Sequence, residues 1–316
     1  MKSKIHKKDQ KTKPSLDKLA QLVPFAPVVN PKNTVQTLGK RAKAKYFTNS
    51  YTKKLATLKS PLQKSYNNTV YGCSNLLTQT GNKLTSHYCN NRWCVVCNRI
   101  RTAKQINGYK PPLEKLNDKQ FVTLTIPNVS GETLRETIKD MTKTFQNIMK
   151  QFHKKKISFV GLRKLECTYN DKQNNFHPHF HCIIEGKEIA GLLLNEWLKR
   201  YLSSVKEAQH IRPADDGSIL EMFKYFAKIL TDGVVYVNAL DVIFQAMRNL
   251  RVYQPFGIHK VSEEIEELQA QTIEDLKKAE KSWSWIDNDW VDKTTGEMLT
   301  GYEPDDTMKR IIKNIK

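Results

Sequence analysis

Three histidines alternate along a short apolar stretch of this 316-residue chain, NNFHPHFHCII at residues 174–184. Successive side chains of an extended strand point to opposite faces, so His177, His179 and His181 would form one row of imidazoles. Such a row can hold a divalent cation, or it can belong to a polar sheet face without a ligand. Glu166 lies on the preceding strand and could add a carboxylate, provided that the strand register places it on the same face.

A tyrosine among basic residues offers a nucleophile further along the chain, in EMFKYFAKIL. Glu221 and Tyr225 are four residues apart and would share one face of a helix, with Lys224 and Lys228 beside the tyrosine. A metal could polarise a phosphodiester, the tyrosine could attack it, and the lysines could stabilise the charge that develops. The alternative is a partly buried core tyrosine with solvated lysines.

Four of the six cysteines fall within 25 residues, with a spacing typical of zinc ligands. Two residues separate Cys94 from Cys97, and Cys73 and Cys89 would complete a tetrahedral site of four thiolates. His87 could replace one of these thiols. The alternative reading, small buried hydrophobic residues, is less favoured because the neighbours are polar and basic.

A zinc knuckle at this position would also present basic side chains. Arg92, Arg99 and Arg101 follow or interleave with the cysteines and could contact phosphates. Cys167 and Cys182 lie on predicted strands, and we interpret them as packing residues rather than ligands.

Hydrophobic periodicity predicts the elements that must position these groups. A strand is predicted at residues 121–126, an amphipathic helix at residues 131–155, and a β-hairpin at residues 157–184 whose second strand carries the histidines. Further helices are predicted at residues 186–205, 218–230, 238–257 and 262–283. This order implies an α+β fold, with an antiparallel sheet backed by helices.

The net charge of +20 and the pI near 9.6 indicate a polyanionic partner, most simply nucleic acid. A basic soluble protein without such a partner is the alternative. The charge is uneven, since residues 1–64 contain sixteen Lys or Arg and two Asp, whereas residues 261–316 contain eight basic and fourteen acidic residues. No apolar run has the length of a membrane span and no signal peptide is recognised, so we expect a cytoplasmic protein without a membrane partner.

Three motifs, in this order, resemble those of a known family. FVTLTIPN at residues 121–128, HPHFHCII at residues 177–184 and EMFKYFAK at residues 221–228 are similar to the motifs of rolling-circle replication initiators of the plasmid Rep class, within the HUH endonuclease superfamily. The likeness is closest to the Rep proteins of small Gram-positive plasmids, and it covers roughly residues 70–260. The second motif with the third is highly specific, whereas the first alone is weak.

The resemblance implies a fold and a reaction. The fold is an HUH-type antiparallel sheet of about five strands, with the metal site on its face and the nucleophile on an adjacent helix. The reaction is metal-dependent, strand-specific nicking and joining of origin DNA through a 5′-phosphotyrosine intermediate, with Mn²⁺ or Mg²⁺ in the catalytic site. The implied partners are the plasmid double-strand origin, single-stranded at the nick, and the host helicase and DNA polymerase; homo-oligomerisation stays open.

Metal ligands carry over by position. His179 and His181 match the paired ligands of the second motif, Glu166 would be the acidic third ligand, and His177 would be an additional one. The structural Zn²⁺ would be separate from this catalytic ion.

Roles in the reaction carry over in the same way. Tyr225 matches the nucleophile of the third motif, and Glu221 matches a glutamate that activates water in the terminating step of relatives with this arrangement. Lys228 is assigned to charge stabilisation and Lys224 to DNA binding.

We therefore expect four regions and keep three alternatives. The regions are a basic, partly disordered N-terminal arm (1–64), a four-cysteine zinc-binding region (65–110), an HUH catalytic domain (111–260) and an acidic helical C-terminal region (261–316). The alternatives are a relaxase, a single-tyrosine transposase, and a zinc-containing DNA-binding regulator without catalytic activity. Relaxases usually place the tyrosine before the histidines, and such transposases are generally smaller and lack the cysteine cluster.

Overall fold

The computed structural model describes residues 35–81, 83–224, 227–261 and 273–316. It combines helices with two antiparallel sheets, which confirms the α+β class. In chain order the elements are α1 (Val35–Ala56), α2 (Gln63–Tyr71), β1 (Leu76–Thr80), β2 (Lys83–Ser86), α3 (Val95–Glu114), β3 (Lys119–Thr125), α4 (Leu134–Lys154), β4 (Gly161–Asn170), β5 (Asn175–Glu185), α5 (Lys187–Arg200), a 3-10 turn (Lys206–Ala208), β6 (His210–Pro213), α6 (Asp216–Met222), α7 (Val237–Ala246), β7 (Tyr253–Phe256), α8 (Ile273–Lys277), β8 (Lys281–Ile286), β9 (Asp289–Asp292) and α9 (Asp306–Lys313).

The larger sheet has five strands in the order β6-β3-β5-β4-β7, as predicted. Prolines occupy positions where this sheet does not need a backbone donor. Pro213 and Pro255 lie on the two edge strands. Pro178 lies on the central strand β5, but the pairing of β5 with β3 ends one residue away, at His179.

The five-stranded sheet separates two hydrophobic cores. The residues of one face, including Leu165, Phe180 and Cys182, pack against α4, α5 and α7 in the larger core. The other face contributes Phe121, Leu162 and Ile183 to a smaller core under α6 and the second half of α3. Because side chains alternate along a strand, the histidine row belongs to this second, less covered face.

Helix α1 occupies part of the region that we predicted to be a basic, partly disordered arm. Residues 1–34 lie outside the described residues, and from residue 35 the chain forms a long helix. Its apolar side chains enter two cores, because Tyr51 packs in the larger core and Ala42 packs under the four-stranded sheet. Its basic residues are not all solvated, since Arg41 and Lys45 are buried. A run of positive charge therefore did not mark an exposed arm here.

Our prediction for the C-terminal region is corrected. We predicted it to be helical, but β8 and β9 join β1 and β2 in a four-stranded sheet of order β2-β1-β8-β9. Trp283 packs in the core of this sheet, and Trp290 is fully buried and donates a hydrogen bond of 2.7 Å from Nε1 to the Ser74 carbonyl oxygen. The alternating aromatic residues of SWSWIDNDW are the strand signal that we overlooked. Residues 262–272, part of the last predicted helix, lie outside the described residues.

Two predicted helices are shorter than their apolar patterns indicated. The helix predicted at residues 218–230 ends at Met222, and further on Ala227 forms a parallel bridge with Cys167 of β4. The helix predicted at residues 238–257 ends at Ala246 and gives way to β7, where Pro255 could not continue a helix. Among the helices that the structure describes, none is both long and apolar enough to cross a membrane.

Candidate metal centres

The register of the β4–β5 hairpin brings a carboxylate to the histidine row. Glu166 pairs directly with His179, and Lys164 pairs with His181. Ligand atoms of Glu166, His179 and His181 all lie within 4.8 Å of one another. The two imidazole Nε2 atoms are 3.2 Å apart, and Nε2 of His181 is 3.7 Å from Oε2 of Glu166. One carboxylate and two imidazoles form a donor set that suits Mn²⁺, Zn²⁺ and similar divalent cations.

Neighbouring groups orient both imidazoles toward this point. Nδ1 of His179 lies 3.1 Å from the backbone carbonyl oxygen of His177, which can only accept, so the proton of the neutral ring resides on Nδ1. Nδ1 of His181 lies 3.2 Å from the hydroxyl of Thr123 on β3. This arrangement leaves Nε2 of His179 free of a proton, as a metal ligand requires.

The electrostatics of the site favour a bound cation. Burial opposes the ionisation of Glu166, but the ammonium of Lys164, 2.8 Å from Oε2, and the two histidines outweigh it and lower the pKa of the carboxyl group to about 2. Burial lowers the pKa of His181 to about 3, against the opposing effect of Glu166. At neutral pH the carboxylate is therefore charged and the His181 ring is neutral, which is the state of each group that coordinates metal.

His177 shares the face, but its ring nitrogens are not among the clustered ligand atoms, so its role as an additional ligand stays a prediction. Its Nδ1 lies 2.8 Å from Oδ1 of Asn128, in the loop after β3, and its ring stacks on that of His179. Burial lowers the pKa of His177 to about 4. His177 lies at the end of the row, two residues farther along β5 than His179, the direct strand partner of Glu166.

The third motif is only partly described. Tyr225 lies outside the described residues, so the distance from its hydroxyl to the histidines is not part of this structure. Glu221 is in the last turn of α6, where its Oε2 lies 3.3 Å from Nη2 of Arg212. The Arg212 guanidinium lies 4.6 Å above the ring of Phe121, on the metal-site face of the sheet. Lys224, before Tyr225, and Lys228, after it, are both exposed.

Two residues of the site were not predicted from the sequence. Lys164 is almost fully buried, with 1% of its side chain exposed, and it is the ion-pair partner of Glu166. The alternation K-L-E on β4 already placed Lys164 and Glu166 on one face, so this signal was available. Arg212 lies on the short edge strand β6, and no pattern in the sequence connects it with Glu221 or with the histidines.

The four predicted zinc ligands converge in the structure. Ligand atoms of Cys73, Cys89, Cys94 and Cys97 lie within 4.8 Å of one another, and the measured sulfur–sulfur distances are 3.5, 3.5 and 3.7 Å. Zinc–sulfur bonds of about 2.3 Å in a tetrahedron place sulfurs about 3.8 Å apart, so the thiols have the spacing of a four-thiolate site. His87 is exposed and is not part of the group.

Surrounding groups fit a charged metal site. The sulfur of Cys94 accepts a hydrogen bond from the Cys97 amide at 3.5 Å, at the start of α3. Lys45, buried in α1, donates to the Cys73 carbonyl oxygen at 2.7 Å. Burial lowers the pKa of Lys45 to about 8, while the nearby cysteines favour its charged form. Four thiolates and Zn²⁺ carry a net charge of −2, which the Lys45 ammonium would partly neutralise.

The arginines assigned to phosphate contact are held by the protein itself. Arg99 donates to the Lys40 carbonyl oxygen of α1 at 2.6 Å, and burial followed by the charge of Arg41 lowers its pKa to about 10. This hydrogen bond links α3 to α1, and the assignment of Arg99 to phosphate contact stays a prediction. Arg92 and Arg101 also donate to main-chain oxygens, and both line one pocket.

Comparison with known proteins agrees with this arrangement. A family model described as "Replication protein" matches residues 82–188, which include the three clustered metal ligands and end before the third motif. "Protein rep" of Staphylococcus aureus is 30% identical over 161 residues, covering 44% of this chain and 69% of the relative. "Protein rep" of Streptococcus pneumoniae serotype 2 (strain D39 / NCTC 7466) is 25% identical over 233 residues, covering 66% and 71%. "Protein rep" of a Bacillus species is 36% identical over 105 residues, covering 31% and 34%. No solved structure matches the chain.

The cysteine geometry predicts about one equivalent of bound zinc per chain. Cys97→Ser should lose most of this zinc and lower the melting temperature by about 5 °C or more, because the metal crosslinks four separate positions of the fold. Zinc content measured by mass spectrometry of metals, together with thermal unfolding, checks this expectation. Cys182→Ser also puts a hydroxyl into the core but lies outside the cluster, so it should keep its zinc; equal zinc in both variants would refute the assignment.

The buried ion pair predicts a pH-dependent loss of stability. In the metal-free protein, Lys164→Met should lower the free energy of unfolding at pH 7 by about 3 kcal/mol, because Glu166, with only 19% of its side chain exposed, is left charged and without its partner. The penalty should shrink toward pH 4. Without Lys164, burial raises the pKa of Glu166, so the carboxyl group becomes neutral as the pH falls.

Urea unfolding of both proteins at the two pH values, in the presence of EDTA, measures this difference. Lys139→Met is the matched control, because Lys139 pairs with Glu136 at 2.7 Å on the exposed surface of α4. An exposed pair contributes about 0–1 kcal/mol. If the two variants lose the same stability at pH 7, the buried pair does not have the effect described.

Proposed function

The chain belongs to the Rep family of plasmid replication initiators of Gram-positive bacteria, and from this premise we propose that it nicks one strand of the plasmid's double-strand origin. One observation carries the proposal: ligand atoms of Glu166, His179 and His181 converge on the less covered face of the sheet, beside a buried lysine. The net charge of +20 supports DNA as the partner.

Tyr225 is the proposed nucleophile. Its phenolate oxygen attacks the scissile phosphorus, the bond from phosphorus to the 3′ oxygen breaks, and that oxygen gains a proton to become a 3′-hydroxyl. The product is a 5′-phosphotyrosine ester, and a 3′-hydroxyl can reverse the step, so strands are rejoined without ATP. Mn²⁺ or Mg²⁺ held by Glu166, His179 and His181 would supply Lewis acidity at the phosphate.

The protein's own cations serve the phosphate as well. Lys224 and Lys228 flank Tyr225 in the chain and are exposed, so both can approach a DNA backbone. Lys228 would stabilise the charge that develops during attack, and Lys224 would bind a neighbouring phosphate. The bridge between Ala227 and Cys167 supports this role, since it holds the segment that follows Tyr225 against β4, next to Glu166.

Glu221 is the proposed general base of the terminating step. When the regenerated origin site is cut a second time, a carboxylate can remove a proton from water, where a second tyrosine would form another covalent link. The contact with Arg212 supports this role, because it holds Glu221 on the metal-site side of the sheet while leaving the carboxylate partly accessible to water. Between the first nick and this terminating step, the host helicase and DNA polymerase would unwind the origin duplex and extend the free 3′ end.

The nucleophile is tested with the origin DNA of the plasmid that encodes this chain. Tyr225→Phe should reduce the covalent adduct with a labelled origin oligonucleotide in Mn²⁺ by about 10³-fold or more, because the attacking oxygen is missing. Denaturing gels measure the adduct. Tyr71→Phe, at a tyrosine that is 72% exposed on α2, should form the adduct normally. Origin binding without cleavage by the unmodified protein would instead indicate a regulator.

If Glu221 acts only as the general base of termination, its replacement should affect the second cleavage and not the first nick. Glu221→Gln should form the adduct at nearly the normal rate but slow the second cleavage by about 10²–10⁴-fold, the usual contribution of a general base. The measurement is the release of protein from DNA after a regenerated site is supplied. Glu136→Gln, at an exposed position of α4, serves as control. Normal release by Glu221→Gln would remove this role.

A further inference from the structure

A strongly basic pocket lies beside the metal-site face, between the first half of α3 and the start of β7. Its volume is about 230 Å³. Four cations line it, Arg92, Arg101, Lys224 and Arg251, and no acidic side chain is among the lining residues that the structure describes. Like charges in one small concave site repel one another, so the arrangement is favourable only when an anion occupies it.

The protein fixes two of these guanidinium groups in place. Arg92 donates from Nη2 to the Leu250 carbonyl oxygen at 2.5 Å. Arg101 donates to the Asn90 carbonyl oxygen and to Oδ1 of Asn98, both at 2.7 Å. Such bonds orient the planar guanidinium groups before any ligand binds, which lowers the entropy cost of binding a phosphate. Preorganised arginines of this kind are typical of phosphate recognition.

The pocket also has groups that fit a nucleobase. Gln105 on α3 places its amide oxygen in a buried position, where it accepts no hydrogen bond from the described residues. The rings of Tyr109 and Tyr253 form part of the wall. An aromatic wall can stack a base, and a buried acceptor requires a donor such as a base N–H. A volume below the about 300–1,000 Å³ of larger ligand sites suits one nucleotide rather than several.

The position of the pocket connects it with the reaction centre. Tyr253 pairs across β7 and β4 with Lys164, the partner of Glu166. On the other side, Lys224 immediately precedes Tyr225 in the chain.

We propose that this pocket binds one nucleotide of the single-stranded origin DNA, adjacent to the scissile phosphate. Arg101 and Arg251 pair with its phosphate, and the base packs against the tyrosine wall with an N–H directed to Gln105. The proposal rests on the proposed function, because the nicked strand is the ligand. The cysteine cluster thereby gains a second role, because Arg92 and Asn98 belong to the knuckle and the fold around the thiols shapes the substrate pocket.

Binding can be measured without cleavage. In a Tyr225→Phe background with EDTA, fluorescence anisotropy of a labelled oligothymidylate gives the affinity and its dependence on salt. Arg251→Gln and Arg101→Gln should each weaken binding about tenfold or more, as expected for a lost charged hydrogen bond. Each should also make the plot of log affinity against log salt shallower by about 0.7. Lys143→Gln removes an exposed charge from α4, behind the opposite face of the sheet, and should leave affinity unchanged.

Oligonucleotides of the origin sequence, each with one abasic residue at a successive position, test the base. Binding should fall at a single position, and Gln105→Leu should abolish that difference, since the two changes remove the same contact. Equal binding by Arg251→Gln, Arg101→Gln and Lys143→Gln, or abasic effects spread evenly along the strand, would overturn the proposal. Normal adduct formation in Mn²⁺ by arginine variants that retain Tyr225 would then leave the proposed nicking intact. Conversely, weakened binding in a protein that never forms an adduct would support the pocket and refute the chemistry.

Discussion

The pairing register of β4 and β5 is the constraint on which the metal centre depends. Glu166 faces His179 because these two residues are direct partners, and a slip by one residue would turn the carboxylate into the larger core. Two features oppose such a slip. The apolar residues of the other face are fully buried, and Gly161 at the start of β4 approaches the Ile183 carbonyl so closely that a Cβ atom would collide with it. Core packing and backbone contact therefore fix the geometry of the site together.

Buried positive charge is a recurring feature of this basic chain, and each case is stabilised differently. Lys164 is paired with the carboxylate of Glu166, and Lys45 lies beside the four thiols. Arg163 is fully buried between the rings of Phe145 and Phe180, 5.2 and 4.3 Å from the ring centres, so its stabilisation comes from cation–π contact. The net charge calculated from the sequence includes all three, as if each were at the surface and available to a polyanion. The structure assigns them to the interior.

The sequence predicted the parts of the fold that follow a single periodicity. The hairpin, the strand before it and helix α4 each carry one clear pattern, and the cysteine spacing was sufficient to predict the thiol cluster. The predictions of secondary structure failed where one sequence pattern is compatible with two structures. The apolar pattern after Met222 is compatible with a helix, but α6 ends at Met222 and Ala227 forms a parallel bridge with Cys167 of β4. The contact between Arg212 and Glu221 depends on a separate edge strand, and local sequence contains no information about such a contact.

The four-stranded sheet joins distant parts of the chain, and this has a consequence for protein synthesis. β1 needs β8 as its neighbour, and Lys43 of α1 forms an ion pair with Asp305 at 2.9 Å. On the ribosome, about two hundred residues must emerge after β1 before its partner strand exists. Until then the nascent polypeptide presents an unpaired strand edge, which is a site for aggregation or chaperone binding. Maturation of this sheet is thus a late event in translation, after the histidine hairpin has been made.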